Sequence, residues 1–296
     1  MDEVIREVLD VLSGDHIEEY PREAIDKALA REKEIIPYLV EILQNVFRDP
    51  SSVLSREQFH GHIFAMNLLA HFRYVEAHET IVKLISLPSG VVDHLFGDMI
   101  TEDFPRILYQ TCGGNYERIK ALVLNKEADQ FVRGSAMRAL VWGVLLGDLP
   151  RSWALDFLGG LFVGNEAEEG SYFWDGAASC VCDLYPEELM DTIRDAYSRG
   201  LISPGFIGIE SFERALSQNM DDYLAKERQW IERRIHEDFH NYMAWWACFD
   251  RNVMSSFRNG DDHFSYRAGS KAAKKRAKKK NRKKMRKASK RKNRRR

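Results

Sequence analysis

Residues 129–140 read Asp-Gln-Phe-Val-Arg-Gly-Ser-Ala-Met-Arg-Ala-Leu, and this stretch decides the predicted fold. Asp129 is suited to cap the N-terminus of a helix, and Arg133 follows four residues later, where it can pair with that carboxylate. Ala136 and Ala139 are small enough to let a neighbouring helix approach closely. The stretch therefore predicts a capped helix that packs tightly against other helices.

Weaker versions of this pattern recur along the chain at a nearly constant interval. Their anchoring residues are Leu69, Leu108, Leu140, Val181 and Leu216. The separations of 39, 32, 41 and 35 residues are close to the repeat length of roughly 40 residues that HEAT-type helix pairs show. The pattern resembles HEAT repeats and predicts an irregular α-solenoid, with a generic helical bundle as the alternative.

The rest of the chain up to residue 249 is also typical of helices. Apolar residues recur every three or four positions, as in residues 4–12, which gives a helix one buried face. Helix-stop signals such as Gly113-Gly114 separate successive patterns, and no alternating run of apolar and polar residues predicts a strand. We therefore predict an all-α fold: a HEAT-like α-solenoid of helix pairs over residues 1–217, followed by one long amphipathic helix over residues 218–250 that packs on the repeats.

The last 26 residues, 271–296, have an extreme composition: they hold 18 of the chain's 44 Lys and Arg and no Asp or Glu. Residues 1–270 therefore keep 26 basic against 45 acidic side chains, a formal charge of −19 that the overall value of −1 conceals. A segment of like charge with few apolar residues cannot bury enough surface to offset its ordering entropy. We predict a disordered Lys/Arg-rich tail over residues 271–296, joined to the body by a polar linker over residues 251–270.

Composition also argues against several classes of protein. The four cysteines form no Cys-x-x-Cys pair, which favours reduced, buried thiols over disulfides. The acidic, amphipathic N-terminus is unlike a signal peptide. The longest strongly apolar run, residues 139–146, is far shorter than the roughly 20 residues of a membrane helix. The sequence thus predicts a soluble, cytoplasmic protein with no membrane partner and no cofactor.

Five stretches, residues 36–39, 62–73, 98–108, 183–189 and 200–208, carry a family resemblance. Together and in this order they resemble the bacterial domain-of-unknown-function family 1186, over roughly residues 5–216, with a weaker match at residues 245–249. The resemblance implies a helical, HEAT-like fold without an established activity. Members often carry a C-terminal Cys-rich zinc module of the SEC-C type. This chain has no Cys after Cys248 and ends in the basic tail instead, so no zinc-module role is transferred to it.

The sharpest enzyme-like pattern is His236-Glu237-Asp238-Phe239-His240. On a helix, His-Glu-x-x-His places two imidazoles one turn apart to bind Zn²⁺, and its Glu activates the metal-bound water. Neither a later Glu nor the extended Gly-and-His pattern of zinc peptidases follows it, so a third ligand is missing. We predict that the protein is not an enzyme. The alternative is a zinc-dependent hydrolase with His236 and His240 as ligands and Glu237 as the catalytic residue.

Asp98, Glu102, Asp103 and Arg106 form a compact polar block between apolar segments. Capping of the next helix explains most of such a block, because acidic residues are favourable in a first helical turn. The functional alternative is a partner-binding surface on the concave face of the solenoid, where repeat proteins hold peptides or other proteins.

Five histidines form a further candidate cluster, but no ligand spacing relates them. We expect them at helix boundaries rather than around a metal. They are His60, His62, His71, His78 and His94.

The basic tail is the strongest functional signal. Residues 272–296 contain no aromatic side chain, so base stacking is excluded and binding to nucleic acid should be electrostatic, salt-dependent and nearly sequence-blind. The alternatives are a solubilising tail, docking on the acidic body and an address signal. The predicted nucleic-acid-binding residues are Lys274, Lys275, Arg276, Lys278, Lys279, Lys280, Arg282, Lys283, Lys284, Arg286, Lys287, Lys290, Arg291, Lys292, Arg294, Arg295 and Arg296.

Taken together, these features predict a non-enzymatic adaptor or scaffold built from helical repeats. Its solenoid would bind a protein or peptide that the sequence does not identify. Its tail would hold it on nucleic acid, with RNA or the ribosome favoured over DNA.

Overall fold

The computed structural model describes residues 2–14, 19–55 and 60–244, and within these ranges the protein is all-α, as predicted, with no strand. The first half contains the helices α1 (Glu3–Leu12), α2 (Arg22–Ala30), α3 (Glu32–Arg48), α4 (Ser51–Leu54), α5 (Gly61–His71), α6 (His78–Ile85), α7 (Ser89–Phe96), α8 (Met99–Glu102) and α9 (Phe104–Thr111). The second half contains α10 (Glu117–Leu124), α11 (Gln130–Leu145), α12 (Arg151–Leu161), α13 (Tyr172–Asp183), α14 (Met190–Ser198), α15 (Ile209–Leu216), α16 (Met220–Ile235) and α17 (Phe239–Met243). The predicted linker and tail lie outside the described residues.

The helices that carry the predicted anchors pack in sequence order. Helix α5 packs against α9, α9 against α11, α11 against α13, and α13 against α15. Hydrogen bonds join residues about one repeat apart: Arg106 donates to Asn67 Oδ1 at 2.6 Å across 39 residues, and Arg138 to Asp183 Oδ2 at 2.8 Å across 45 residues. The HEAT-like solenoid stays our interpretation of this packing.

A second row of helices shows the same order. Arg118 of α10 donates to Glu79 of α6 at 2.9 Å across 39 residues, and Arg199 donates to the carbonyl of Phe162 at 2.8 Å across 37 residues. These bonds link α10 to α6 and the end of α14 to the end of α12, independently of the row α5, α9, α11 and α13.

Helix α11 is the centre of the core, because every residue from Phe131 to Leu145 except Arg138 is buried. As predicted, Asp129 caps it: its carboxylate accepts hydrogen bonds from the backbone N–H groups of Phe131 at 2.8 Å and Val132 at 3.4 Å. The second carboxylate oxygen accepts the Ser89 hydroxyl at the start of α7. Asp129 therefore satisfies the end of a buried helix and ties it to a neighbour.

The predicted pair between Arg133 and Asp129 is wrong. Arg133 donates instead to the carbonyl of Val123 at 2.7 Å and to that of Glu166 at 2.8 Å, and its guanidinium lies 3.9 Å from the centre of the Phe173 ring. The reason is that the oxygens of Asp129 are already engaged by the helix end and by Ser89.

Replacing Asp129 with Ala should lower the free energy of unfolding by about 1 to 2 kcal/mol, since the cap of a buried helix is lost. Urea denaturation measures this change. Asp129→Asn keeps the capping oxygen and is the matched control. An Ala variant as stable as the Asn variant would contradict the assigned role.

Asp175, near the start of α13, is a buried carboxyl with no cation in contact within the described part of the chain. It accepts one hydrogen bond, from the backbone N–H of Ser203 at 2.7 Å, and thereby holds the loop between α14 and α15 against α13. Burial raises the pKa of Asp175 to about 7, and the Ser203 hydrogen bond only partly opposes this.

Asp175 makes stability depend on pH. Because its folded pKa is raised above an unfolded value of about 3.9, the native state holds this proton more tightly than the unfolded chain. Its stabilising effect is present below pH 4 and is lost as the pH rises towards 7, at about 1.4 kcal/mol per pH unit. Asp175→Asn should remove this slope from the unfolding free energy measured between pH 4.5 and 7. Asp156→Asn, at an exposed position on α12, should keep it; parallel profiles for the wild-type protein and Asp175→Asn would refute the prediction.

Cys112, Cys180 and Cys182 are buried thiols outside any disulfide, as predicted, and Cys248 lies outside the described residues. Within the ranges that the structure describes, no helix combines the length and apolar character needed to cross a bilayer.

Candidate functional site

The predicted long C-terminal helix is interrupted inside the His-Glu-x-x-His motif. Helix α16 ends at Ile235, and α17 begins at Phe239. Asp238 causes the new start, because its carboxylate accepts hydrogen bonds from the backbone N–H groups of His240 and Asn241, both at 3.0 Å. Asp is among the strongest N-cap residues, so a separate helix start competes here with continuation of α16. The prediction of one helix over residues 218–250 is wrong at this point.

The break separates the residues of the predicted zinc motif. His236 is exposed at the end of α16, Glu237 is exposed between the helices, and His240 is buried on α17. The two imidazoles therefore do not lie one turn apart on a common helix. Among the described residues, no group of three or more His, Cys, Asp and Glu is placed to hold a metal ion.

Both ring nitrogens of His240 are engaged by the N-terminal part of the chain. Nε2 donates to Asp26 Oδ1 at 2.9 Å, which leaves Nδ1 to accept the Tyr20 hydroxyl at 2.9 Å. Burial raises the pKa of the Tyr20 phenol, so this hydroxyl keeps its proton and remains a donor. We name Tyr20, Asp26 and His240 the terminal clamp.

Because the nitrogens of His240 are occupied, purified protein should contain no stoichiometric zinc after dialysis against zinc-containing buffer. Elemental analysis checks this. One zinc per chain that is lost in His240→Ala but kept in His94→Ala would restore the hydrolase alternative.

The predicted partner-binding block is divided between the surface and the interior. Asp98 is exposed and Glu102 half-buried, whereas Asp103 and Arg106 are only 5% and 4% exposed. Asp98 precedes α8, whose single turn contains Glu102 as expected, whereas Asp103 precedes α9, which has no acidic residue in its first turn. The four residues therefore do not form one recognition surface. Arg106 lies in the core because its neighbours on α9 are apolar and buried.

Arg106 and Asp103 meet the C-terminal helices there. Arg106 donates to Gln110 at 2.7 Å, and its guanidinium lies 4.1 Å from the centre of the Tyr242 ring. The Tyr242 hydroxyl donates to Asp103, which also lies 3.9 Å from a guanidinium nitrogen of Arg234 on α16. Burial lowers the pKa of Arg106 to about 10; Asp103 opposes this fall and the like charge of Arg234 adds to it. We name Asp103, Arg106, Arg234 and Tyr242 the arginine cluster.

Helix α16 crosses the row formed by α9, α11 and α13. Tyr223 donates to the carbonyl of Cys182 at 2.9 Å, Arg228 donates to the carbonyl of Leu145, and Trp230 meets Trp142 edge-on with ring centres 6.3 Å apart. Only Ile231 of α16 is fully buried. This contact agrees with the prediction that the C-terminal helix packs on the repeats, and it covers part of the row that α9, α11 and α13 form.

The comparisons with known proteins identify the family. The profile of the family described as "Protein of unknown function (DUF1186)" matches residues 3–250. The chain belongs to this family. An uncharacterized protein of Chlamydia muridarum (strain MoPn / Nigg) is 32% identical over 228 residues, which cover 72% of this chain and 91% of the relative. An uncharacterized protein of Chlamydia trachomatis serovar D is 34% identical over 207 residues, which cover 70% of this chain and 82% of the relative. No solved structure gives a significant match.

The family match contains both the terminal clamp and the arginine cluster and ends before the basic tail. The resemblance inferred from the sequence is thus confirmed, and it extends further towards the C-terminus than residue 216. The tail residues predicted to bind nucleic acid lie outside both the matched and the described residues, so their role stays a prediction.

Sequence reasoning missed Tyr20, Asp26, Arg234 and Tyr242 because their partners lie far away in the chain. It also did not predict that His62 and His78, at the starts of α5 and α6, are buried, and burial lowers the pKa of each to about 4. One signal was available: Asp238 between two helical patterns is a helix-start signal.

Proposed function

We propose that this DUF1186-family protein is a non-enzymatic scaffold, which its basic tail tethers to RNA or to the ribosome while its helical body binds a protein or peptide. The family and the helical fold are compatible with such a role but do not specify it. The proposal includes a cytoplasmic location, because that is where ribosomes and most RNA are found.

The observation that supports tethering is the partition of charge along the chain. The 26 residues at the C-terminus contain 18 cations and no anion, whereas residues 1–270 carry a formal charge of −19. A body of this charge repels phosphates, so attraction to a polyanion is concentrated in the tail. A dense cluster of Lys and Arg neutralises phosphates and releases their counterions, which gives affinity without requiring a base sequence.

The family match supports separate roles for the two parts. It ends at residue 250, so the tail is an addition to the conserved length of the family domain. The body then contributes something other than attachment to nucleic acid, and a surface for a protein or peptide is the use that we propose for it. Binding of DNA by the same tail is the alternative, because electrostatic attraction alone does not select RNA.

The test compares full-length protein with a 1–270 truncation for binding to a structured RNA across a salt titration. We expect binding by the full-length protein alone, with log affinity falling against log salt at a slope of about −0.7 to −0.9 for each phosphate neutralised. A duplex DNA of matched length shows whether RNA is preferred.

Two tail variants provide the controls. A tail with the same residues in scrambled order should bind as the natural tail does, because the mechanism reads charge and not sequence. A tail in which every Lys and Arg is replaced by Gln should not bind. Equal RNA affinity of the full-length and truncated proteins would overturn the proposal, since the body would then hold the binding site.

No observation favours the zinc-dependent hydrolase over the scaffold. The motif that suggested it is divided by a helix start, and His240 serves the terminal clamp.

A further inference from the structure

We propose that Arg106 and Arg234 form a binding site for an oxyanion, a phosphate or carboxylate group, beneath Tyr242. The site belongs to the body, so it does not depend on the tethering function proposed for the tail.

Two positive charges lie close together at this site. Two guanidiniums converge on the ring of Tyr242, Arg106 at 4.1 Å and Arg234 at 5.8 Å from its centre. Among the described residues, the carboxylate in contact with this pair is that of Asp103, 3.9 Å from Arg234. Asp103 also accepts a hydrogen bond from the Tyr242 hydroxyl, so its negative charge is shared with this group as well. Arg106, which is buried, and Arg234, which is half-buried, thus share one contacting carboxylate, and Glu237 adds a further negative charge near Arg106.

The N–H donors of Arg106 and Arg234 are only partly used. Arg106 uses its two terminal nitrogens on neutral amide oxygens, those of Gln110 at 2.7 Å and Asn67 at 2.6 Å. Arg234 uses one terminal nitrogen on the carbonyl of Glu102 at 3.4 Å. Within the part of the chain that the structure describes, the Nε–H groups of Arg106 and Arg234 are buried and have no acceptor. A buried donor without an acceptor is unfavourable, and native proteins keep few of them.

The geometry of the remaining N–H donors suits an oxyanion. Stacking on an aromatic ring covers the flat face of a guanidinium and leaves its edge for hydrogen bonds in the plane. The edge formed by Nε and the adjacent terminal nitrogen matches the two oxygens of a carboxylate or phosphate group. Both arginines thus keep the Nε–H donor of that edge, and each terminal nitrogen carries a second N–H beside the one already used.

Access to this site is governed by α17. Tyr242, which covers Arg106, belongs to a helix of five residues that follows the exposed residues His236, Glu237 and Asp238. Arg234 retains 20% exposure of its side chain, whereas Arg106 lies deeper. We therefore expect an anion to meet Arg234 first and to reach Arg106 when Tyr242 shifts.

The test measures the thermal unfolding midpoint of the full-length protein against increasing inorganic phosphate at constant ionic strength, with chloride as the balancing anion. A ligand that binds the folded state raises the midpoint with the concentration dependence of its binding. We expect a saturable rise of a few degrees. A parallel titration with acetate shows whether the site prefers phosphate or a carboxylate.

Arg234→Lys is the diagnostic variant, because it keeps the charge but lacks the Nε–H donor, and it alters a partly exposed side chain. It should weaken the apparent phosphate affinity about tenfold, as expected for loss of a bidentate contact. Arg228→Lys, on the same helix, is the matched control and should behave as the wild-type protein does.

The basic tail is present in all three proteins and is charged in both the folded and unfolded states, so it cannot produce a difference between them. Equal midpoint shifts in Arg234→Lys and Arg228→Lys would overturn the site. The absence of any saturable shift with either anion in the wild-type protein would overturn it as well.

Discussion

The burial of α11 on all sides is the constraint on which the rest of the structure depends. A helix in contact with solvent can leave the polar groups of its ends to water, but α11 cannot. Asp129 satisfies its first turn, and at its other end Gly147, with φ of 91°, lets the backbone N–H groups of Asp148 and Leu149 turn back to the carbonyl of Gly143 at 2.8 and 3.1 Å. The other helices of both rows are then arranged around α11, whose terminal backbone groups are already hydrogen-bonded.

The same demand explains why polar contacts are concentrated where elements meet. Arg133 donates hydrogen bonds to carbonyl groups at the ends of neighbouring segments. Arg138 forms an ion pair with Asp183 between two helices of one row. The arginine cluster differs from these sites, because its guanidiniums contact mainly neutral or shared acceptors. This difference, and not burial alone, distinguishes the cluster from the structural arginines around it.

The sequence was informative wherever a signal is local. The cap at Asp129, the helix stops and the spacing of Leu69, Leu108 and Leu140 all act within one or two turns of a helix, and they predict the all-α fold and the order of packing. Arg133 could not be assigned from sequence, because its acceptors are chosen by tertiary packing once Asp129 is engaged. The candidate site was the least predictable part, since His240 and Arg106 have partners 39 to 220 residues away. The literal His-Glu-x-x-His match was misleading because one of its variable positions is occupied by Asp238, which starts a helix.

The terminal clamp has a consequence for how the protein is made. His240 completes the contacts of Tyr20 and Asp26, which are translated more than 200 residues earlier. Contacts between such distant positions are slow to form and cannot begin before the later residue exists. On the ribosome, the contact of Tyr20 and Asp26 with His240 therefore forms only after almost the whole body has been synthesised. Residues 271–296 follow His240 in the chain, so their 18 cations are synthesised after the last residue of the terminal clamp.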